Sequence, residues 1–329
     1  MRFLRIFVLL MVPAFLLPSC KKELNLNADW EDVTIVYGIM NQLDSAHYVK
    51  ITKAFLGPGN ALQYAQIPDS SNYHMKMDVN LEAWDGSNLV AVYPFDTTTI
   101  NDKDSGVFYF PNQLLYVNYS ILDPAYKYKL VIVNPQTQEV ITSETPLVKP
   151  FLVEKPFAFQ AISYDVGKNS KVEWTSAIGG KRYQVMVRFF YQETSIPDPT
   201  QTSEKYIDWL IVPTKLSKSD EGGEQLDAAY SNDAFYALLH AGLEVNPDLE
   251  RAARYVQYHF TVAANDLNTY IEVTQPSNSI IQEKPSFSNI ENGIGLFSAR
   301  YVQVIDSIQL SQRTIAEIRT NALTNDLGF

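Results

Sequence analysis

The chain reads as a mainly β protein made of β-sandwich domains in tandem, the second carrying short helical insertions. Three observations carry that reading. Met75 to Trp84 alternates without a break, Met75, Met77, Val79, Leu81 and Ala83 set against Lys76, Asp78, Asn80 and Glu82. Period two marks a strand with one face on a core and one in water. Seven or eight such short runs fall within about 120 residues, separated by turn signals, as in a sandwich. Pro146, Pro150 and Pro156 then interrupt the pattern before strands resume, which sets a domain divide at 148/149.

The first element is not part of the fold. Arg2 and Arg5 precede an apolar stretch from Ile6 to Leu17, and Pro18-Ser19-Cys20 closes it. Such a stretch is too short for a bilayer core of ~30 Å, which takes about 20 helical residues. Residues 1–19 therefore read as a secretory signal. Leu17-Pro18-Ser19-Cys20 resembles the lipobox of bacterial lipoproteins, which implies that the Cys20 thiol is lipidated and becomes the first mature residue. The chain has one cysteine, and it stands at that spot, so no disulfide can form. Residues 20–30, with Lys21-Lys22-Glu23, read as a tether. Position 21 lacks the Asp that enteric lipoproteins use for inner-membrane retention, so the resemblance implies the outer membrane, on its surface or periplasmic face. No later segment nears 18 uninterrupted apolar residues, which leaves a chain anchored to a membrane by acyl chains rather than spanning it.

Residues 31–148 hold the first sandwich. Expected strands are Val33–Met40, Tyr48–Phe55, Met75–Trp84, a return from Leu89, Val107–Phe110, Leu114–Val117, Tyr128–Val133 and Val140–Thr145. Asp85-Gly86-Ser87-Asn88 and Asn134-Pro135-Gln136-Thr137 supply hairpin turns. Residues 149–329 hold the second, β-rich domain. Strands are expected at Phe157–Ile162, Lys171–Trp174, Tyr183–Tyr191, Tyr206–Pro213, Tyr255–Ala264 and Leu296–Leu310. Helices are expected at Ser231–Ala241, Asp266–Thr274 and Thr314–Ala322, the first capped by Ser231 and closed by Gly242. Gln192–Lys205 and Ser219–Gln225 read as long loops.

Leu122-Asp123-Pro124-Ala125-Tyr126-Lys127-Tyr128 resembles the tyrosine corner of fibronectin type III domains, in which a Tyr hydroxyl bonds back to the backbone. Val172-Glu173-Trp174 followed by Tyr183-Gln184-Val185 is similar to that fold's Trp-bearing early strand and the one after it. The resemblance implies tandem fibronectin/Ig-like sandwiches. Most of the mature chain also resembles an uncharacterised family of Bacteroidetes outer-membrane lipoproteins. The likeness lies in the lipobox, Ile35-Val36-Tyr37-Gly38-Ile39, His47-Tyr48-Val49-Lys50-Ile51, the run from Pro285 to Phe297 and the Leu327-Gly328-Phe329 end. It implies an address and an architecture, and no reaction. Within that run Asn292-Gly293 suits a turn of positive φ and Gly295 a close backbone approach.

The net charge of −11 argues against nucleic acid, which needs clustered Lys and Arg. His47, His74, His240 and His259 include no pair at helical metal spacing, and no serine-hydrolase elbow or zinc-protease motif is present. Asn101-Asp102-Lys103-Asp104-Ser105-Gly106 is similar to a calcium loop, but Lys103 occupies a ligand position and the closing Glu is missing. Asp220-Glu221 with Glu224 is an acidic group best read as a solvated loop. No catalytic residue, metal or cofactor is expected. Three function classes remain: a non-catalytic binding lipoprotein, accessory to an outer-membrane transporter or surface assembly and meeting an outer-membrane protein or a glycan; a passive structural or adhesive lipoprotein; and a glycan hydrolase. The expected loops 192–205 and 219–225 are the first candidates for contact. Mass spectrometry of the mature N-terminus should find acylated Cys20 as residue one; an unmodified Cys20, or cleavage elsewhere, contradicts the lipobox.

Overall fold

The computed structural model describes residues 33–54, 60–275 and 286–329. Cys20, the expected signal and tether, and Pro285 lie outside the described residues. Fifteen strands and five helices make up the described chain. The strands are β1 (Thr34–Met40), β2 (His47–Lys53), β3 (Asp78–Asp85), β4 (Asn88–Pro94), β5 (Asp96–Ile100), β6 (Gln113–Asn118), β7 (Lys127–Val133), β8 (Val140–Pro146), β9 (Val153–Lys155), β10 (Asn169–Thr175), β11 (Arg182–Ser195), β12 (Thr202–Leu216), β13 (Gln225–Ser231), β14 (Leu249–Ala263) and β15 (Ile294–Gln309). The helices are α1 (Ala61–Ala65), α2 (Pro68–Ser71), α3 (Asp233–Gly242), α4 (Asn265–Thr274) and α5 (Gln312–Thr320).

The fold is mainly β and of sandwich class. Its three sheets run β12-β11-β14-β15-β1-β2-β6-β5, β13-β10-β9 and β4-β3-β7-β8, and their buried residues share one hydrophobic cluster. Alternation decides which side chains of the first half enter the core: Val36, Val49, Val79, Leu81, Leu130 and Ile132 point in and are buried. Tyr128 anchors the entry to β7, its hydroxyl accepting from Asp123 N–H at 2.8 Å and donating to the Asp123 carbonyl at 3.1 Å. Tyr183 repeats the device in the second half, accepting from Ala177 N–H at 2.7 Å. In the second half the same core stacks aromatics around Trp174, whose ring meets Phe260 edge-on at 5.6 Å. Beside it Tyr258 shares hydroxyl contacts with Tyr164 at 2.8 Å and Tyr230 at 2.9 Å, so buried hydroxyls find partners rather than forfeiting them.

The expected divide at 148/149 is not a loose linker. Leu147 and Val148 are buried, Gln42 Nε2 donates to Val148 O at 2.8 Å, and Lys149 N–H donates to Ile178 O at 2.9 Å. The larger link is β15. Its second part pairs antiparallel with β14, while Ile294 to Ala299 runs on and pairs parallel with Ile35 to Met40 of β1. Strands from both sides of 148/149 thus form one eight-stranded sheet. A strand of this length reaches roughly 50 Å at ~3.3 Å per residue, more than one sandwich needs.

Some expected elements differ. Phe157–Ile162 is irregular: Phe159 has φ 70° and is fully exposed, and the short edge strand β9 takes the pairing with β10 instead. Val107–Phe110 is also irregular and feeds a loop. Gln192–Lys205 is not a long loop but the end of a hairpin, β11 and β12 pairing up to Thr194 and Thr202. α3 begins after Asn232 rather than Ser231, and Gly242 is its last helical residue.

The segment before β15 stitches the halves together. Glu291 and Thr142 exchange backbone bonds at 2.8 and 3.3 Å, and Ser143 Oγ donates to Asn289 O at 2.7 Å. Asn292 takes the positive φ, 56°. Gly295 sits at φ 127°, where a Cβ would come within 1.9 Å of the Val36 carbonyl oxygen, so any side chain there forces β1 and β15 apart. Gly295→Ala should lose about 4 kcal/mol or more in urea unfolding. Gly106→Ala, where nothing lies within 4 Å, should stay within about 0.5 kcal/mol of wild type.

Candidate functional site

The strongest candidate is a two-lobed groove on the outer face of β1 and β2. β1 is apolar on both faces: Ile35, Tyr37 and Ile39 point away from the core that takes Val36 and Met40. Apolar residues on both faces of a strand imply that both are covered, yet Tyr37 keeps 42% of its surface and Ile39 39%. One lobe, a cavity of about 700 Å³, runs from Tyr37, Ile39 and Tyr48 to α4. Helix α4 supplies Leu267, Tyr270, Ile271 and Thr274 at helical spacing. Its seat is fixed by a small cluster with Leu296 and Ala263, by Ser298 Oγ accepting from Leu267 N–H at 3.2 Å, and by Arg182 Nε donating to buried Asn268 at 2.8 Å. This lobe therefore needs both halves of the chain.

The second lobe, about 440 Å³, continues from Tyr37 over Lys50, Thr52 and Lys53 to Gln113 and Leu114. Both volumes fall in the range of small-molecule sites. Lys103, Phe108, Tyr109 and Asn112 form its far wall. That wall is held to α1 by Tyr109 N–H donating to Ala65 O at 2.9 Å and by Gln66 Nε2 donating to Gly106 O at 3.1 Å. At the junction Tyr37 and Tyr270 meet edge-on at 6.1 Å, their hydroxyls 3.5 Å apart. The neighbouring Tyr270 hydroxyl, with burial, pushes the Tyr37 phenol up to about 12, so it stays a neutral hydrogen-bonding group at ordinary pH.

The sequence candidates lie elsewhere. His47 Nε2 donates to Ser120 O at 2.9 Å, and burial holds its pKa down; it is a buried structural histidine. His240 Nδ1 donates to Leu323 O at 2.9 Å and His259 meets Gln257 at 3.2 Å. The Asp220–Glu224 loop is tied down on the 176–179 segment: Gly179 N–H donates to Asp220 O at 2.7 Å, and the Glu224 carboxylate accepts from Lys218 N–H at 2.7 Å. In the loop at 101–106, Lys103 turns inward to the groove while Asp102 and Asp104 face solvent. No group of three or more His, Cys, Asp or Glu side chains among the described residues could hold a metal. Among the same residues, no helix is long and apolar enough to cross a membrane. Sequence reasoning missed Tyr37, Tyr48 and the three lysines as a site; the unbroken apolar run of β1 was the available signal.

Glu193 is a buried carboxylate, 7% exposed, and it serves the fold. Its carboxylate accepts from Arg251 Nε at 2.9 Å and pairs with Lys205. Arg251 Nη1 also donates to Leu327 O at 2.6 Å, and Arg251 N–H to Gly328 O at 2.7 Å. Phe329 then packs on Phe189 and Tyr191, so the Leu327-Gly328-Phe329 end is clasped. Burial raises the Glu193 pKa, but the Lys205 and Arg251 hydrogen bonds outweigh it and hold it below the ordinary glutamate value. The pair's contribution is then complete above the unfolded pKa, about 4.3, and fades as pH falls through the lower folded value. Glu193→Gln should cost about 3 kcal/mol at neutral pH, and its deficit against wild type should shrink on acidification below about pH 4. A deficit constant with pH contradicts the clasp.

Neither any family model nor any curated protein matches this chain.

Proposed function

We propose that this chain is a non-catalytic binding lipoprotein, held at the outer membrane by acyl chains on Cys20, that takes a small ligand in the Tyr37 groove. The groove itself carries the reading: two lobes of ligand size that share Tyr37, one aromatic and apolar and built across the meeting of the two halves, the other lined by lysines and neutral polar side chains of the first half. Sites at domain junctions with a few placed polar groups are the usual seats of small ligands. A rigid sheet under the groove suits recognition, since little conformational freedom is lost on binding.

The architecture is read as tandem fibronectin/Ig-like sandwiches. With the extra edge strand β5 of the first half set aside, the halves share one strand order, β1-β2-β6 and β4-β3-β7-β8 in the first and β9-β10-β13 and β12-β11-β14-β15 in the second. The Tyr128 corner and the buried Trp174 support the same reading. Placement in the family of Bacteroidetes lipoproteins rests on the lipobox and the run leading into Phe297, and a role beside an outer-membrane transporter or surface assembly follows from that address. The protein, extracted from its own membranes in mild detergent, should carry a small-molecule adduct of fixed mass in native mass spectrometry, lost in Ile39→Arg. No adduct dependent on residue 39 would overturn the reading.

A further inference from the structure

The lysine-lined lobe is a local inversion of charge. The whole chain carries 37 Asp and Glu against 26 Lys and Arg, yet among the described residues lining this lobe three are lysines and none is acidic. Lys50, Lys53 and Lys103 make no ion pair among the described residues. Their contacts are with neutral groups: Lys50 Nζ donates to Gln113 Oε1 at 3.3 Å, Lys103 Nζ to Tyr109 O at 2.6 Å, and Lys53 Nζ lies 5.8 Å from the Tyr73 ring centre.

Lysine stems often lie along apolar surface with the ammonium reaching for water. Lys103 does the opposite. Its ammonium turns into the lobe, 5.9 Å from the Phe108 ring centre, while the acidic residues on either side of it in sequence face solvent. Burial and the nearby Lys103 charge both hold the Lys50 pKa down. Crowded like charges in a half-buried site disfavour each other, and an anion placed among them would relieve that cost while forming charge-assisted hydrogen bonds.

We infer that this lobe receives the anionic end of a small organic acid, with Tyr37, Phe108 and Tyr109 holding its aromatic or apolar body. The inference rests on the groove being a ligand site and adds the ligand's chemistry. Ammonium groups act as point charges without the planar fork of guanidinium, so carboxylate and phosphate ester share the required chemistry. Ser71, Asn72, Thr52 and Asn112 line the same lobe and offer neutral donors around the anion.

The test is calorimetric titration of the full mature chain in detergent with phenylacetate, phenyl phosphate, inorganic phosphate and benzyl alcohol. One or both phenyl anions should bind at least about tenfold more tightly than benzyl alcohol, the ratio expected of a charge-assisted contact. Phenylacetate alone would assign a carboxylate, and phenyl phosphate alone a phosphate ester. The Lys50→Gln, Lys103→Gln double variant should weaken the preferred anion about tenfold and leave benzyl alcohol unchanged. In the wild-type chain, added salt should weaken the anion and not the alcohol, a readout independent of whether the variant folds. Equal affinity for anion and alcohol, or an equal salt response, overturns the inference. Inorganic phosphate binding as tightly as phenyl phosphate overturns its aromatic half. A residue-39-dependent native adduct without anion preference would sink this inference alone; loss of both would sink the ligand-binding reading with it.

Discussion

The parallel pairing of Ile294–Ala299 with Ile35–Met40 is the constraint on which the rest of the structure depends. It joins opposite ends of the described chain, and parallel strands can meet only through a crossover connection. Here the crossover is nearly the whole fold. The pairing also leaves no room for error: Gly295 lies so close to the Val36 carbonyl that only hydrogen fits at its Cα. Because β15 pairs with β14 along its other part, one strand transmits the position of each sandwich to the other. Ser143 and Thr142 reinforce the joint through Asn289 and Glu291.

The groove is a product of that joint. Tyr37, Ile39 and Tyr48 come from the first half, Leu267, Tyr270 and Ile271 from the second, and Leu296 lies on the shared strand itself. An apolar face made this way exists only while the two halves are paired. The lysine lobe differs in origin. Its floor is the first sheet, but its wall is the 103–112 segment, tied down through α1. An apolar surface and a lysine-lined one are thus placed side by side by separate pieces of chain that meet at Tyr37.

Strands whose inward residues alternate cleanly were readable from sequence, Val79-Leu81-Ala83 and Tyr128-Leu130-Ile132 above all, because burial on one face imposes period two. The tyrosine corner at Tyr128 was readable because it is local, its hydroxyl bonding to Asp123 five residues upstream. What was not readable is long-range. The β1–β15 pairing leaves no nearby mark, since its partner lies at the other end of the chain. The Gln192–Lys205 segment hid its strands because positions such as Gln192, Thr194 and Glu204 are polar and within it only Glu193 is buried. Phe157–Ile162 misled in the other direction, its aromatics lying exposed in an irregular segment where a strand pattern would bury them. The groove lysines are far apart in sequence, and nothing local says that Lys50 and Lys103 share a wall.

Hydrogen exchange on the intact chain tests the joint most directly, because it reports the free energy of opening at each amide. If β15 makes the two sandwiches one cooperative body, the core amides of residues 34–40 exchange only in the same global opening as those of β11 and β14. Amides of 34–40 that exchange through a separate opening of much lower free energy, while β11 and β14 stay protected, would show that the halves part readily and that the groove is not a fixed site.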